Sequence, residues 1–170
     1  ISAMQRIVPE IDVLCAMARW LFVERKVLPY RVSIARGQGI NSPSNKVRIQ
    51  KLMVELGVSK RYENVLGKSE FDYFAGGGPD LLGISASESW QIECKGAGEG
   101  KAPTQRNNFD RALASVVSYY DDTLPVEWQD VAKDARPFLG LALPDTSAYL
   151  NELKKRVRQP LRQKLNLWVL

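Results

Sequence analysis

The fold of this chain is decided between Gly76 and Gly96, in the stretch GGGPDLLGISASESWQIECKG. Two short apolar runs, PDLLGIS and WQIECKG, flank ASES, a small polar group that reads as a turn, and the pattern predicts a β-hairpin. Three charges interrupt it: Asp80, Glu93 and Lys95. Side chains alternate between the faces of a strand, so Glu93 and Lys95 point one way while Ile92 and Cys94 point the other. Pairing Ser85 with Trp90 across the four residues ASES sets Asp80 opposite Lys95, one diagonal step from Glu93. Two carboxylates and an amine then share one face of a sheet. Buried charges cost on the order of several kcal/mol unless they are paired or bound to a metal, so the cluster demands an explanation.

Length and composition bound that explanation. A chain of 170 residues, 45% apolar and 25% charged, predicts one domain over 1–170 with a sizeable core. No apolar run approaches the roughly 20 residues that cross a bilayer, which predicts no membrane partner. The two cysteines, Cys15 and Cys94, lack disulfide or metal spacing and favour a reducing, cytoplasmic setting. A start at Ile1 and a finish on LNLWVL suggest a piece of something longer. Histidine is absent. That excludes Ser-His and Cys-His couples and disfavours zinc, leaving carboxylates, lysine and tyrosine for acid-base or metal work. Oxygen-only ligands suit hard cations such as magnesium, manganese or calcium.

The net charge of +5 is unevenly spread. Arg31, Arg36, Lys46, Arg48, Lys51, Lys60 and Arg61 face a single acid, Glu55, within 31–61. That segment nets +6 and the remainder −1. Together with the loop RGQGINSPSN, it reads either as a basic insertion over about 36–62 that contacts phosphates, or as a solvated insertion with surplus lysines.

Taken in order, Pro9 and Glu10 predict a helix start, with proline at its first position. Ile11, Leu14, Cys15, Ala18, Leu21 and Phe22 form one apolar stripe. Glu10 falls near the edge of that stripe and Glu24 farther round. YRVSIA (30–35) predicts a strand. Ser44 is the expected N-cap of a helix over about 45–56, ended by Gly57, and FDYF (71–74) the expected short strand. Gly76–Gly78 with Pro79 sets where Asp80 enters the sheet, Pro79 holding Gly78 extended. GAGEGKAPT departs from a P-loop, because Ala102 stands where that loop needs Ser or Thr. From about Gln105 a helix carries Phe109, Ala112, Leu113, Val116, Val117 and Tyr120 on one face. PFLGLAL (137–143) reads as a buried strand. Thr146 or Ser147 caps a last helix whose Leu150, Leu153, Val157 and Leu161 face the core, and Pro160 kinks or ends it. LNLWVL is a final strand.

Glu-x-Lys occurs four times, at Glu24/Lys26, Glu93/Lys95, Glu99/Lys101 and Glu152/Lys154. Only Glu93/Lys95 lies in an apolar strand, and only it follows a Pro-Asp at the head of the partner strand. Pro79, Asp80, Glu93 and Lys95, set in a hairpin between two helices, resemble the PD-(D/E)XK nuclease superfamily over roughly 9–143. The resemblance implies an α/β, restriction-endonuclease-like αβββαβ core, with a central mixed sheet flanked by helices. To it are added the basic helical insertion and an extra C-terminal helix and strand. It implies a divalent-metal-dependent DNA endonuclease. Asp80 and Glu93, with the Cys94 backbone carbonyl, would bind Mg2+, for which Mn2+ substitutes. Lys95 would orient water or stabilise the transition state. Glu10, with Glu24 in reserve, would be the glutamate of the first helix, and Gln105 the polar residue of the helix after the lysine. Tyr119 and Tyr120 read as packing. The implied partner is double-stranded DNA, in a homodimer or a larger defence or repair complex. Three other readings stand beside it: a purely structural ion cluster, a non-catalytic nuclease-like binding or scaffold domain, and a small helix-turn-helix DNA reader in the basic segment.

Overall fold

The computed structural model of the chain describes residues 7–33, 43–67, 74–75, 78–98, 102–118, 124 and 126–170. Helix α1 (Glu10–Val23) leads into strand β1 (Leu28–Ser33), and α2 (Pro43–Leu56), α3 (Val58–Leu66) and the short β2 (Phe74–Ala75) follow. The hairpin is β3 (Leu81–Ile84) and β4 (Glu88–Cys94). Then come α4 (Ala102–Ser118), α5 (Val126–Gln129), β5 (Arg136–Ala142), α6 (Ser147–Arg156), α7 (Gln159–Leu165) and β6 (Leu167–Val169). The strands form one mixed sheet in the order β2-β1-β3-β4-β5-β6. β3 runs antiparallel to both of its neighbours, whereas β4, β5 and β6 are mutually parallel. The chain is therefore α/β, a mixed sheet with helices on its faces.

Strand alternation sorts the core into two layers. Trp90, Ile92 and Cys94 of β4 pack with Leu14, Ala18 and Leu21 of α1 and with Ile49, Met53, Val58 and Tyr62 of α2 and α3. Leu139 and Leu141 of β5 pack on the other side with Phe109, Ala112 and Val116 of α4 and Tyr149 of α6. Glu93 pairs with Leu141, so it faces the α4 layer. Within that segment the described helices α2 and α3 turn an apolar side to the core around α1.

The hairpin register differs from the sequence expectation by two residues. Ile84 pairs with Ser89 and Leu81 with Ile92. This sets Asp80 opposite Glu93 rather than opposite Lys95. The turn is shorter than expected because Ser85 closes it: its N–H donates to the Glu88 carbonyl (2.8 Å), and its Oγ accepts from the Glu88 N–H (3.0 Å). A shift of two keeps every side chain on its face, whereas a shift of one would have scattered the charges.

Smaller expectations also shift. Pro9 sits just before the first helical residue, at φ −59° and ψ 144°. Ser44 lies inside α2, which begins at Pro43. Gly78 adopts φ +82° rather than an extended conformation. α4 begins at Ala102, and Val117 is exposed on it. The last helix breaks after Arg156 and restarts at Gln159, with Pro160 in the new first turn. Leu150 and Leu161 are exposed, whereas Tyr149 and Val157 are buried: α6 turns Tyr149 rather than Leu150 inward, and Leu161 lies beyond the break in α7. Thr146 caps α6, its side chain accepting from the Tyr149 N–H. Trp128 of the short α5, in the acidic sequence DDTLPVEWQD, is a core residue against Tyr30 and Tyr62. Arg36, 71–73, Gly76, Gly77, Tyr119 and Tyr120 lie outside the described residues.

Candidate active site

Three segments bring the charged side chains together. The hairpin supplies Asp80 just before β3 and Glu93 in β4, and Lys95 follows the end of β4 on the same face. The start of α1 supplies Glu10. It is fixed there by a two-way backbone bridge, Val8 N–H to Ala97 O at 2.7 Å and Ala97 N–H to Val8 O at 2.8 Å. Gly96 allows this approach: a Cβ there would stand 2.4 Å from the Val8 carbonyl oxygen and 2.6 Å from the Glu10 nitrogen. Glu24 is at the other end of the 14-residue α1, about 20 Å away at 1.5 Å per residue. Helix length therefore decides for Glu10.

Lys95 Nζ lies 3.2 Å from Glu93 Oε1 and 3.6 Å from Glu10 Oε2. The Cys94 N–H donates to Asp80 Oδ2 at 2.8 Å, and the Asp80 and Glu93 carboxyls touch. Glu93 is only 5% exposed. Burial, with repulsion from Asp80, raises its pKa from 4.5 to about 7 despite the pull of Lys95. Burial also raises Asp80, against the Cys94 N–H and Lys95, which pull it down. Glu10 is raised by burial and by Asp80, offset by Lys95 and the Gly96 N–H. For Lys95 burial works downward, but Glu10, Glu93 and Asp80 outweigh it and the ammonium is held above its ordinary value. Burial and the three acids push the Cys94 thiol well up, so it stays protonated. Three carboxylates gathered around one ammonium leave a surplus of negative charge, a condition typical of sites that receive cations.

The residues fit a hard cation. Asp80 and Glu93 offer touching oxygen donors. The Cys94 carbonyl points to the same strand edge as its N–H, toward Asp80, as the two groups of one strand residue do. Among the described residues no group of three or more His, Cys, Asp or Glu is spaced to hold a metal ion. Two carboxylates suffice for magnesium, which keeps waters and takes further oxygens from substrate phosphates.

The cluster opens into a cleft of 740 Å³ between the α1 start and α4, lined among others by Ser33, Gly78, Asp80, Glu93, Lys95 and Gly96. From α4 it receives Asn108, Arg111 and Ser115. Gln105 belongs to the neighbouring buried stripe of that helix, and its Nε2 donates to the Gly98 carbonyl at 3.1 Å; it is not in the cleft. Behind the wall, Asn108 hydrogen-bonds the Tyr149 hydroxyl, which donates to the Gly96 carbonyl at 2.8 Å. Sequence reasoning missed Asn108, Arg111, Ser115, Tyr149 and the role of Gly96. An i, i+3, i+7 polar stripe beside the apolar stripe of α4 was the available signal.

The basic residues are not gathered here. Arg31 lies on the same sheet face as Ser33, outside the cleft lining. Lys46, Arg48 and Lys51 ride on α2 and Lys60 and Arg61 on α3, in the layer of α1. Arg48 is committed to an ion pair with Asp12 of α1. Among the described residues no helix is long and apolar enough to cross a membrane. Comparison of the chain with protein families, curated proteins and solved structures finds no match.

Proposed function

We propose that this chain is a divalent-metal-dependent nuclease of the PD-(D/E)XK type that hydrolyses internal phosphodiester bonds of DNA. The observation that carries the reading is the convergence of Asp80, Glu93 and Lys95 on one sheet face, with the two carboxyls in contact and the ammonium 3.2 Å from Glu93. A structural ion cluster accounts poorly for it. Such clusters stabilise no better than apolar residues of similar volume, and here both acids are held above their ordinary pKa. The order α1, β1, β3, β4, α4, β5 supports the reading as well, since it follows the αβββαβ sequence with α2, α3, β2 and the short α5 inserted.

Asp80, Glu93 and the Cys94 carbonyl would hold magnesium or manganese, which when bound supplies charge neutralisation and a more acidic water. The remaining roles belong to the chain. Lys95 keeps its proton, being surrounded by acids, and its compact ammonium donates to the attacking water or to the charge that grows on the phosphate. Glu10, fixed by the Gly96 N–H, is the second carboxylate that holds Lys95, beside Glu93. The test is to incubate the protein with plasmid, linear duplex, single-stranded DNA and RNA in magnesium, manganese or EDTA, beside Asp80→Ala and Lys95→Ala. Metal-dependent nicking or cutting of plasmid that both substitutions abolish is the expected result. Absence of cleavage on every substrate, or cleavage that survives both substitutions, refutes the assignment.

A further inference from the structure

Arg111 is a charge of the cleft that the described structure leaves unpaired. It is exposed on α4, lines the cleft, and among the described residues makes no hydrogen bond or ion pair, although three carboxylates line the same cleft. Asn108 and Ser115 flank it at i−3 and i+4, so all three project from one helix face. That face is linked to the site, because Asn108 is tied through Tyr149 to Gly96, next in sequence to Lys95. Charge tells when such a guanidinium is needed. With all three carboxylates ionised, Lys95 and Arg111 leave the cleft one charge negative, and a divalent cation on Asp80 and Glu93, which holds them ionised, would leave it one charge positive. An uncommitted guanidinium beside that pair suits a bidentate phosphate contact.

We propose that Arg111, flanked by Asn108 and Ser115, seats a backbone phosphate of double-stranded DNA beside the Asp80–Glu93 pair. The inference rests on the nuclease reading and adds to it the residue that holds the strand. Binding of a short fluorescein-labelled DNA duplex is measured by anisotropy over a salt series, in Ca2+ and in EDTA, for the wild type, Arg111→Gln, Arg111→Lys and Arg106→Gln. Arg106 is exposed on the same helix and lies outside the cleft, so it controls for charge alone.

Losing one phosphate contact reduces the slope of log affinity against log salt by about 0.9 on duplex DNA. Arg111→Gln is expected to show that reduction, with affinity in Ca2+ down on the order of tenfold and an unchanged melting temperature. Arg111→Lys keeps most of the slope, and Arg106→Gln leaves it as in the wild type. Equal slopes for Arg111→Gln and the wild type, an equal effect of Arg106→Gln, or no duplex binding by the wild type would each overturn the proposal. Binding that depends on Arg111 without any cleavage upholds this inference while refuting the catalytic reading.

Discussion

Replacing Glu93 with glutamine keeps the shape of the side chain and removes its titration, which isolates what the ionised site costs the fold. Burial and the adjacent Asp80 raise Glu93 from 4.5 to about 7, with the attraction of Lys95 already included. One pKa unit corresponds to about 1.4 kcal/mol, so holding Glu93 ionised costs the native state about 3 kcal/mol. The sign follows from linkage. An acid whose folded pKa lies above its unfolded value binds more protons when folded. Stability is therefore full below about pH 4.5, falls as pH climbs to about 7, and stays low above. Glutamine resembles the protonated side chain at every pH. Metal-free Glu93→Gln should thus match the wild type near about pH 4 and exceed it by about 1–3 kcal/mol near about pH 8. The lower figure allows for the weaker contact of the amide with Lys95. For a chain of this size that is about 2–4 °C of melting temperature per kcal/mol. Urea and thermal unfolding across this pH range in EDTA measure it. A variant less stable than the wild type at about pH 8, or a difference that does not change with pH, would falsify the account of the cluster as a strained, cation-seeking site.

Magnesium should offset that difference. At about one hundred times its dissociation constant it adds about 2.7 kcal/mol to the wild type and little to Glu93→Gln, seen as a thermal shift. Because Glu93 must lose its proton to bind metal, magnesium affinity by calorimetry should tighten steadily from about pH 5 and level off above about pH 7 to 8. Lys95→Ala should lower the cleavage rate on the order of 10²- to 10³-fold without weakening magnesium binding, and Lys95→Arg should not rescue it. Gly96→Ala drives a Cβ into the Val8 carbonyl oxygen and should cost about 1–3 kcal/mol in urea unfolding, with loss of activity as Glu10 moves away from Lys95. At the far end of the hairpin, Arg25→Ala leaves the half-buried Glu88 without its cation and strips the guanidinium from Trp20, Trp90, Phe138 and Trp168. A loss of about 1–3 kcal/mol in urea unfolding, with the Asp80–Glu93–Lys95 cluster undisturbed, is expected.

Much of the element order was readable from local pattern, because apolar spacing along the chain reports which face of a helix or strand is buried. The stripe of α1, the continuous run of β5 and the alternation of β4 needed no tertiary information. The failures fall where a distant or local hydrogen bond overrides the pattern. Ser85 tightened the hairpin turn and moved the register by two, and the helix break after Arg156 put Leu161 in a separate helix, where it is exposed. Trp128 and Tyr149 were missed because single aromatic residues in short segments carry no periodicity.

What the amino-acid sequence determined by itself is the set of charges on one sheet face. Glu93 and Lys95 are two apart in a strand, a Pro-Asp heads its partner, and a period of two preserves that face through any even register shift. Only the tertiary structure decided the rest. Asp80 meets Glu93 rather than Lys95, and Glu10 rather than Glu24 completes the ring, because Gly96 lets the chain before α1 lie against the end of β4. Among the described residues it also placed Arg111, and not Gln105 or the basic residues of α2 and α3, in the cleft. Those choices depend on which surfaces pack together, and contacts between segments far apart in the chain leave no mark on local spacing.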